Sequence, residues 1–197
     1  VYGSGDHRSL PCFPTRRLPI SKDLLINLEI LKRHKTVIIE TLTDKKYNLD
    51  GEQLCRSIII DAVFGSGLNL SVKGLALKAI NDINAAKTEV ISIDIPSGLY
   101  ADDNSDNDLS GIVKATTTLS LELPKLSYMF AEHTALTGDF FIVPIGLDQS
   151  FIEAQDTSFS YINQVEIKGR LKHREPFSHK GSYGHALLIA GSYGMMG

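Results

Sequence analysis

The chain of 197 residues has a near-average globular composition, with 43% hydrophobic and 22% charged residues, so we expect a packed core and not a disordered chain. Its formal net charge of −3 and its scattered Lys and Arg residues argue against nucleic acid as a partner. Two cysteines, Cys12 and Cys55, are too few for a secreted disulfide framework, and no apolar run approaches the roughly 18 residues of a membrane span. These features predict a cytoplasmic protein with no membrane partner.

Helical and strand periodicities alternate along the chain, which predicts an α/β fold. Ser21 can cap a helix with Leu24, Leu28 and Leu31 on one face, and the apolar run in SIIIDAVF is continuous, as in a fully buried strand. In chain order we predict a loop over 1–20, a helix from Ser21, a strand over 36–40, a helix over 50–56, a strand over 57–64, a helix over 72–85, and strands over 89–95, 115–121 and 139–145. Strand, helix and strand in succession make a parallel crossover. We therefore expect a doubly wound, mostly parallel sheet in a Rossmann-like three-layer α/β/α sandwich.

The pattern weakens after Gly146, where a polar stretch fits a linker or a last short helix. A strand is predicted again over 185–190, followed by a glycine-rich turn. We therefore predict a first domain over 1–150, a linker over 151–172 and the start of a second domain over 173–197.

Two carboxylates stand at the ends of neighbouring predicted strands. Asp61 precedes a glycine-rich loop over 65–67, whose backbone N–H groups can cradle an anion, and Asp94 with Ser97 ends the stretch EVISIDIPSGL. Ligands of open α/β sheets bind beyond the carboxyl ends of the strands, and carboxylates are costly there. The pair therefore indicates a bound cation, a base, or both. Taken singly, each residue is explained more simply, as a tight turn, a loop-capping carboxylate or a turn hydroxyl.

Four segments, DAVFGSGLNLSVKG, VISIDIPSGLYADD, ATTTLSLELPK and GDFFIVPIGL, resemble the NAD(P)H-hydrate epimerase domain in order and spacing. The resemblance is close over 57–147 and looser over 21–40. The tail HKGSYGHALLIAGSYGMMG resembles the opening of the ribokinase-like, ADP- or ATP-dependent NAD(P)H-hydrate dehydratase domain. The resemblance implies a multifunctional isomerase and lyase that repairs nicotinamide nucleotides. Its epimerase interconverts the R and S hydrates of NADH or NADPH, and its dehydratase restores the cofactor.

The resemblance also implies roles for individual residues. The family's potassium ligands fall on Asp61 and Ser97, and Asp94 is expected to contact the substrate and to act as the general acid/base. Lys125 falls on the family's Pro-Lys element, where a structural role and a substrate contact are both open. The family's hydrate-binding loop falls on Gly65, Ser66, Gly67, Leu68, Asn69, Leu70 and Ser71.

Parts of the family pattern are missing from the sequence. The family's glycine-rich loop, which supplies a further potassium ligand, has at best a remnant in GSGDHR, and the chain ends before the dehydratase's nucleotide-binding region. We therefore expect a fragment with an N-terminally incomplete epimerase domain, homodimeric by resemblance. A non-catalytic dinucleotide-type binding or interaction module of the same fold is the alternative. The six histidines lack zinc spacing and are expected on the surface or in loops.

Overall fold

A computed structural model describes residues 22–34, 39–43, 45, 47, 49, 51–171 and 173–192. These residues belong to two compact units, one ending at Gln155 and the other beginning at Asp156. The loop predicted over 1–20, the cap at Ser21, most of the strand predicted over 36–40 and the last five residues lie outside the described residues. The predicted limits of the two domains and of the linker stay predictions.

The first unit is built on a parallel sheet of four strands. The strands are β1 (Ile59–Asp61), β2 (Val90–Ile93), β3 (Thr117–Leu121) and β4 (Asp139–Val143). They lie side by side in chain order, and each pairs in parallel with the next. The predicted α/β class with a mostly parallel, Rossmann-like sheet is confirmed. In the part of the chain that the structure describes, the strand order does not reverse, so all four carboxyl ends form one continuous edge.

The described part of the chain contains six α-helices, five in the first unit and one in the second. They are α1 (Lys22–Lys32), α2 (Gly51–Cys55), α3 (Gly74–Ala85), α4 (Thr134–Thr137), α5 (Gln149–Glu153) and α6 (Gln164–Arg170). The helices predicted from Ser21, over 50–56 and over 72–85 are confirmed as α1, α2 and α3. Within the described residues, no helix combines the length and the apolar character that crossing a membrane requires.

Two apolar clusters form the core of the first unit. One joins Ile80 and Ile83 of α3 to Val90 and Val113, which fixes α3 against β2. The other surrounds the chain that follows β2 and consists of Ile95, Leu99, Ile112, Tyr128 and Leu136. Burial of each large side chain stabilises the fold by about 1.5–3 kcal/mol. The turn after β2 is therefore packed within the second of these clusters.

The strand predicted over 57–64 is shorter and less buried than its sequence suggests. β1 covers only Ile59–Asp61, and the side chains of Ile58 and Ile60 are 62% and 67% exposed. Ile58 and Ile60 point to one face of β1, which the described residues leave open, whereas Ile59 and Asp61 point to the other face and are half-buried and buried. The apolar face of α1, which carries Leu24, Leu28 and Leu31, is likewise not buried among the described residues.

The second unit contains α6, which begins after Asn163, whose side chain accepts a hydrogen bond from the Glu166 N–H at 3.0 Å. The strand predicted over 185–190 is wrong, since this segment is irregular and Leu187 and Leu188 are 86% and 88% exposed. A strand needs a hydrogen-bonded neighbour, and none of the unit's described residues pairs with this run.

Candidate functional site

The ends of β1 and β2 lie side by side because Asp61 pairs with Ser92 in the parallel ladder. This register carries Asp61 and the turn after β2 to the same edge of the sheet. Ser97, in that turn, donates a hydrogen bond from its hydroxyl to Asp61 Oδ1 at 2.6 Å. The structure therefore brings together two of the residues that the sequence singles out.

The Asp61 carboxylate is 1% exposed and is held entirely by neutral donors. Its Oδ2 accepts hydrogen bonds from the Ser92 hydroxyl and the Ser97 N–H, both at 2.8 Å. Its Oδ1 accepts the Ser97 hydroxyl and, at 3.4 Å, the Val63 N–H. None of the ion pairs formed by the described residues includes Asp61. Dipoles alone compensate its buried charge.

Oxygen atoms of three chemical kinds lie close together here, in the Asp61 carboxylate, the Ser97 hydroxyl and the Phe64 carbonyl. The Ser97 Oγ lies 3.4 Å from the Phe64 carbonyl oxygen and accepts a hydrogen bond from the Phe64 N–H at 2.9 Å. A carboxylate, a hydroxyl and a carbonyl are donors suited to a hard cation. No cluster of three or more His, Cys, Asp or Glu side chains suited to a metal occurs among the described residues. The oxygen groups thus fit a hard cation better than a transition metal.

Asp94 has an unusual backbone conformation, with φ at +67° in the left-handed region. Its N–H donates to the Leu119 carbonyl at 2.8 Å, and the Tyr128 hydroxyl donates to the Asp94 carbonyl. Burial raises the pKa of Tyr128, so this phenol keeps the proton that it donates. Non-glycine residues held at positive φ cost free energy and are concentrated at functional sites.

Gly98 fixes the turn that follows Asp94. Its φ is +102°, and a Cβ there would lie 2.5 Å from the Gly111 carbonyl oxygen. Only glycine fits such a position, because both the conformation and the backbone neighbour exclude a side chain. The Pro-Ser-Gly sequence therefore presents Ser97 and Asp94 from a rigid turn.

The Asp94 carboxylate lies between a lysine and the loop after β1. Its Oδ1 lies 2.7 Å from Lys125 Nζ and accepts the Leu121 N–H at 3.3 Å, and the Ser66 side chain also forms a hydrogen bond with the carboxylate. Burial acts to raise the pKa of Asp94, but Lys125, the Leu121 amide and Ser66 together lower it. Asp94 is therefore ionised at neutral pH.

The loop from Gly65 to Ser71 connects β1 to α3 and is mostly exposed. Within the described part of the chain, the N–H groups of residues 65–67 have no hydrogen-bond partner. Gly65 and Gly67 have ordinary φ values, and a Cβ at either position would meet nothing within 4 Å. The fold itself therefore does not require glycine here, in contrast to Gly98.

The structure does not bring all predicted residues to the same point. Ser66 reaches Asp94, whereas Ser71 lies at the far end of the loop, where its hydroxyl is 3.4 Å from the Tyr100 hydroxyl. Asn69 and Leu70 are exposed and Leu68 is half-buried. The Asp61 and Asp94 side chains share no hydrogen bond, so they form two separate centres at the same edge of the sheet.

Two further residues at this edge have roles that the sequence left open or missed. Lys125 contacts Asp94, and its position in a Pro-Lys pair shortly after a strand was the available signal. The sequence offers no comparable signal for Tyr128, because a single tyrosine in a short apolar run indicates a core residue and not a functional one. The surface or loop location predicted for the histidines is wrong for His133, which is buried with Nδ1 2.7 Å from the Ser127 carbonyl oxygen. Its ring fills the space under a 3₁₀ turn, Ala131–His133.

Residues 10–127 match the family described as YjeF-related protein N-terminus. A bifunctional NAD(P)H-hydrate repair enzyme Nnr from Moorella thermoacetica is 31% identical over 179 residues, covering 90% of this chain and 33% of that protein. The protein of the same name from Coxiella burnetii is 35% identical over 140 residues, covering 71% and 28%. A NAD(P)H-hydrate epimerase from Weissella koreensis is 31% identical over 124 residues, covering 62% and 51%. The chain spans about a third of the length of the bifunctional relatives that it matches.

Proposed function

Because the chain belongs to the YjeF-related protein N-terminus family, we propose that it supplies the epimerase part of an enzyme that repairs hydrated nicotinamide cofactors. The reaction is the interconversion of the R and S hydrates of NADH or NADPH. The names of its relatives, a bifunctional NAD(P)H-hydrate repair enzyme and a NAD(P)H-hydrate epimerase, support this assignment. The observation that carries it is an ionised Asp94, held in a left-handed conformation beside an exposed glycine loop.

Asp94 is the proposed proton-transfer group. Hydration of the reduced ring leaves a hydroxyl on the carbon next to the ring nitrogen. An ionised carboxylate takes the hydroxyl proton as the carbon–nitrogen bond breaks and its electron pair moves to the nitrogen, and it returns the proton when the bond re-forms on the other face. The pKa of Asp94 is lowered by Lys125, the Leu121 amide and Ser66, so the group begins the reaction without a proton at neutral pH.

The loop from Gly65 to Ser71 is the proposed binding segment for the hydrate, with Asp94 as a further contact. The N–H groups of residues 65–67, which have no partner among the described residues, can donate hydrogen bonds to the pyrophosphate oxygens. Gly65 and Gly67 leave open space where a Cβ would otherwise stand, so a ligand can approach the backbone closely.

Asp61 and Ser97, with the Phe64 carbonyl, are the proposed ligands of a potassium ion. A bound cation would offset the charge of Asp61, which dipoles alone compensate. The ion's contribution is electrostatic and structural, since it anchors the turn that carries Asp94.

Further elements of the proposal rest on the composition of the chain and on the family resemblance stated above. We place the activity in the cytoplasm and expect a homodimer acting on a small-molecule substrate, with no nucleic acid partner. From the resemblance of the tail, the second unit would then open a dehydratase domain that uses ADP or ATP.

The first prediction tests Asp94 with Asp94→Asn, followed by chromatographic separation of R and S hydrates of NADH. We expect kcat to fall by about 10²–10⁴-fold, because the amide cannot take a proton. Asp106→Asn is the matched control, since Asp106 is exposed and forms none of the contacts described above. Full interconversion by Asp94→Asn with normal hydrate affinity would contradict the role. Hydrate binding by the wild-type chain without faster interconversion would instead indicate a binding module.

A further inference from the structure

We infer that Lys125 is the positioning residue of Asp94, holding its carboxylate ionised and directed at the loop over 65–71. This inference rests on the proposed function and deepens it. Its geometric basis is an ion pair at the end of the sheet, between Lys125 Nζ and Asp94 Oδ1 at 2.7 Å.

Both side chains of the pair are largely shielded from solvent, with exposures of 15% for Lys125 and 18% for Asp94. Exposed ion pairs contribute little, because water screens them and long side chains lose entropy when ordered. Neither objection applies strongly to this pair. The low exposure gives its charges a larger influence on each other than they would have on the open surface.

The Lys125 ammonium is itself held in place by the backbone. Nζ donates to the Leu123 carbonyl at 3.1 Å and to the Leu121 carbonyl at 3.4 Å, in addition to contacting Asp94. An ammonium group has three donors, so these contacts use all of them. Leu121 is the last residue of β3 and Leu123 follows two residues later, so the charge is fixed at the end of this strand. Lys125 can hold Asp94 in one place because it cannot itself move freely.

The same short segment also holds the Asp94 backbone. Lys125 precedes a 3₁₀ turn, Leu126–Met129, that carries Tyr128, and the Tyr128 hydroxyl donates to the Asp94 carbonyl. One end of the segment therefore contacts the carboxylate and the other contacts the main chain. This double contact accounts for the persistence of the left-handed conformation of Asp94.

Other groups that face Asp94 do not carry a positive charge. Ser66 comes from the loop, the Leu121 amide from β3 and Tyr128 from the 3₁₀ turn. Asp61, the other carboxylate of the site at this edge, forms its hydrogen bonds with Ser92, Ser97 and Val63 and not with Asp94. Among the described residues, Lys125 is the one cation paired with Asp94.

The second prediction compares Lys125→Met, Lys125→Arg and the control Lys114→Met in the full chain. Lys114 is exposed and belongs to no ion pair of the described residues. Carboxyl ¹³C NMR follows the titration of Asp94 directly. We expect Asp94 to titrate at higher pH in Lys125→Met, near its wild-type position in Lys125→Arg, and unchanged in Lys114→Met.

Kinetics on the same proteins separate positioning from binding. In Lys125→Met we expect kcat to fall roughly tenfold or more with little change in KM, and the acid limb of the pH profile to move to higher pH. Lys125→Arg should restore most of kcat. A folded Lys125→Met protein with an unmoved Asp94 titration overturns the inference, as does a change confined to KM. If Lys125→Met does not fold, Lys125→Gln makes the same comparison.

The two proposals fail in different ways in this design. A wild-type chain that binds the hydrate without interconverting it refutes the epimerase function. The NMR titration needs no turnover, so it still decides whether Lys125 sets the charge of Asp94.

Discussion

At the scale of single residues, the site contains two carboxylates in opposite surroundings. Asp61 is fully buried and held by neutral donors, whereas Asp94 is partly open and paired with Lys125. Two acids in such different environments can take different roles in one site. The division is consistent with a cation beside Asp61 and proton transfer at Asp94.

The third prediction concerns the pH dependence of stability. The pKa of Asp94 is lower in the folded chain than its ordinary value, so the contacts of the ionised group stabilise the fold above about pH 4 and are lost as the pH falls through the lowered folded pKa. We expect the free energy of unfolding of the wild type to exceed that of Asp94→Asn by a constant amount above about pH 5. The difference should shrink at lower pH.

Urea unfolding at a series of pH values measures this difference. Asp106→Asn again serves as the control and should follow the wild-type curve. A difference between the wild type and Asp94→Asn that grows toward acid pH would show that the native pKa of Asp94 is raised.

At the scale of elements, glycines of two kinds frame the site. Gly98 is required by the fold, since its φ is positive and a Cβ would collide with the Gly111 carbonyl. Gly67 has neither constraint. The turn after β2 is thus conformationally restricted, whereas the loop after β1 leaves room for a ligand.

The fourth prediction sets Gly67→Ala against Gly98→Ala. We expect Gly98→Ala to lower the free energy of unfolding by about 2 kcal/mol or more, because strain and collision add. Gly67→Ala should leave stability within about 0.5 kcal/mol of the wild type but weaken binding of NADH hydrate. Urea unfolding and titration calorimetry with the hydrate measure the two effects. Normal hydrate affinity in Gly67→Ala would remove the loop from the binding site.

The sequence predicts the elements better than it predicts their surroundings. α3 and the strands at 90–93, 117–121 and 139–143 follow from periodicity, because helix and strand patterns there are strong. The burial of β1 does not, since an apolar run carries no information about which neighbours cover it. The prediction of a strand over 185–190 is wrong for a similar reason, because an apolar run does not show whether a neighbouring strand pairs with it.

The same distinction applies to the site. The meeting of Asp61 and Ser97 follows from two strand ends in a parallel sheet, which the sequence pattern contains. The contact of Lys125 with Asp94 depends on the path of the chain after β3, for which the Pro-Lys pair left both a structural role and a substrate contact open. The contact of Tyr128 with the Asp94 carbonyl and the positive φ of Asp94 leave no local trace in the sequence.

At the scale of the whole molecule, the site belongs entirely to the first unit and is formed by the ends of β1, β2 and β3. A ligand that binds there stabilises the folded unit by mass action, in proportion to the logarithm of its concentration above Kd. Potassium is therefore expected to act on the melting of the unit as a whole.

The fifth prediction is that potassium raises the melting temperature of the wild-type chain more than choline at equal ionic strength. At a hundredfold excess over Kd the stabilisation is about 2.7 kcal/mol. Ser97→Ala should lose the specific effect of potassium, while Ser110→Ala, which removes an exposed serine-to-aspartate bond, should keep it. Differential scanning calorimetry makes the comparison. Equal melting in both salts for the wild type would exclude a potassium site at Asp61.

The strand order has a consequence for how the site comes into being. Each strand pairs with its neighbour in the chain, so contacts between strands stay comparatively local in sequence, and local contacts favour fast folding. During synthesis, Ser92 and Ser97, the serine partners of Asp61, are made before the segment after β3 that contacts Asp94. Lys125 and Tyr128 are the last of these residues to be made. Because both residues follow β3 in the chain, we expect a chain truncated before Lys125 to lose the ion pair and the Tyr128 contact of Asp94 together with β4.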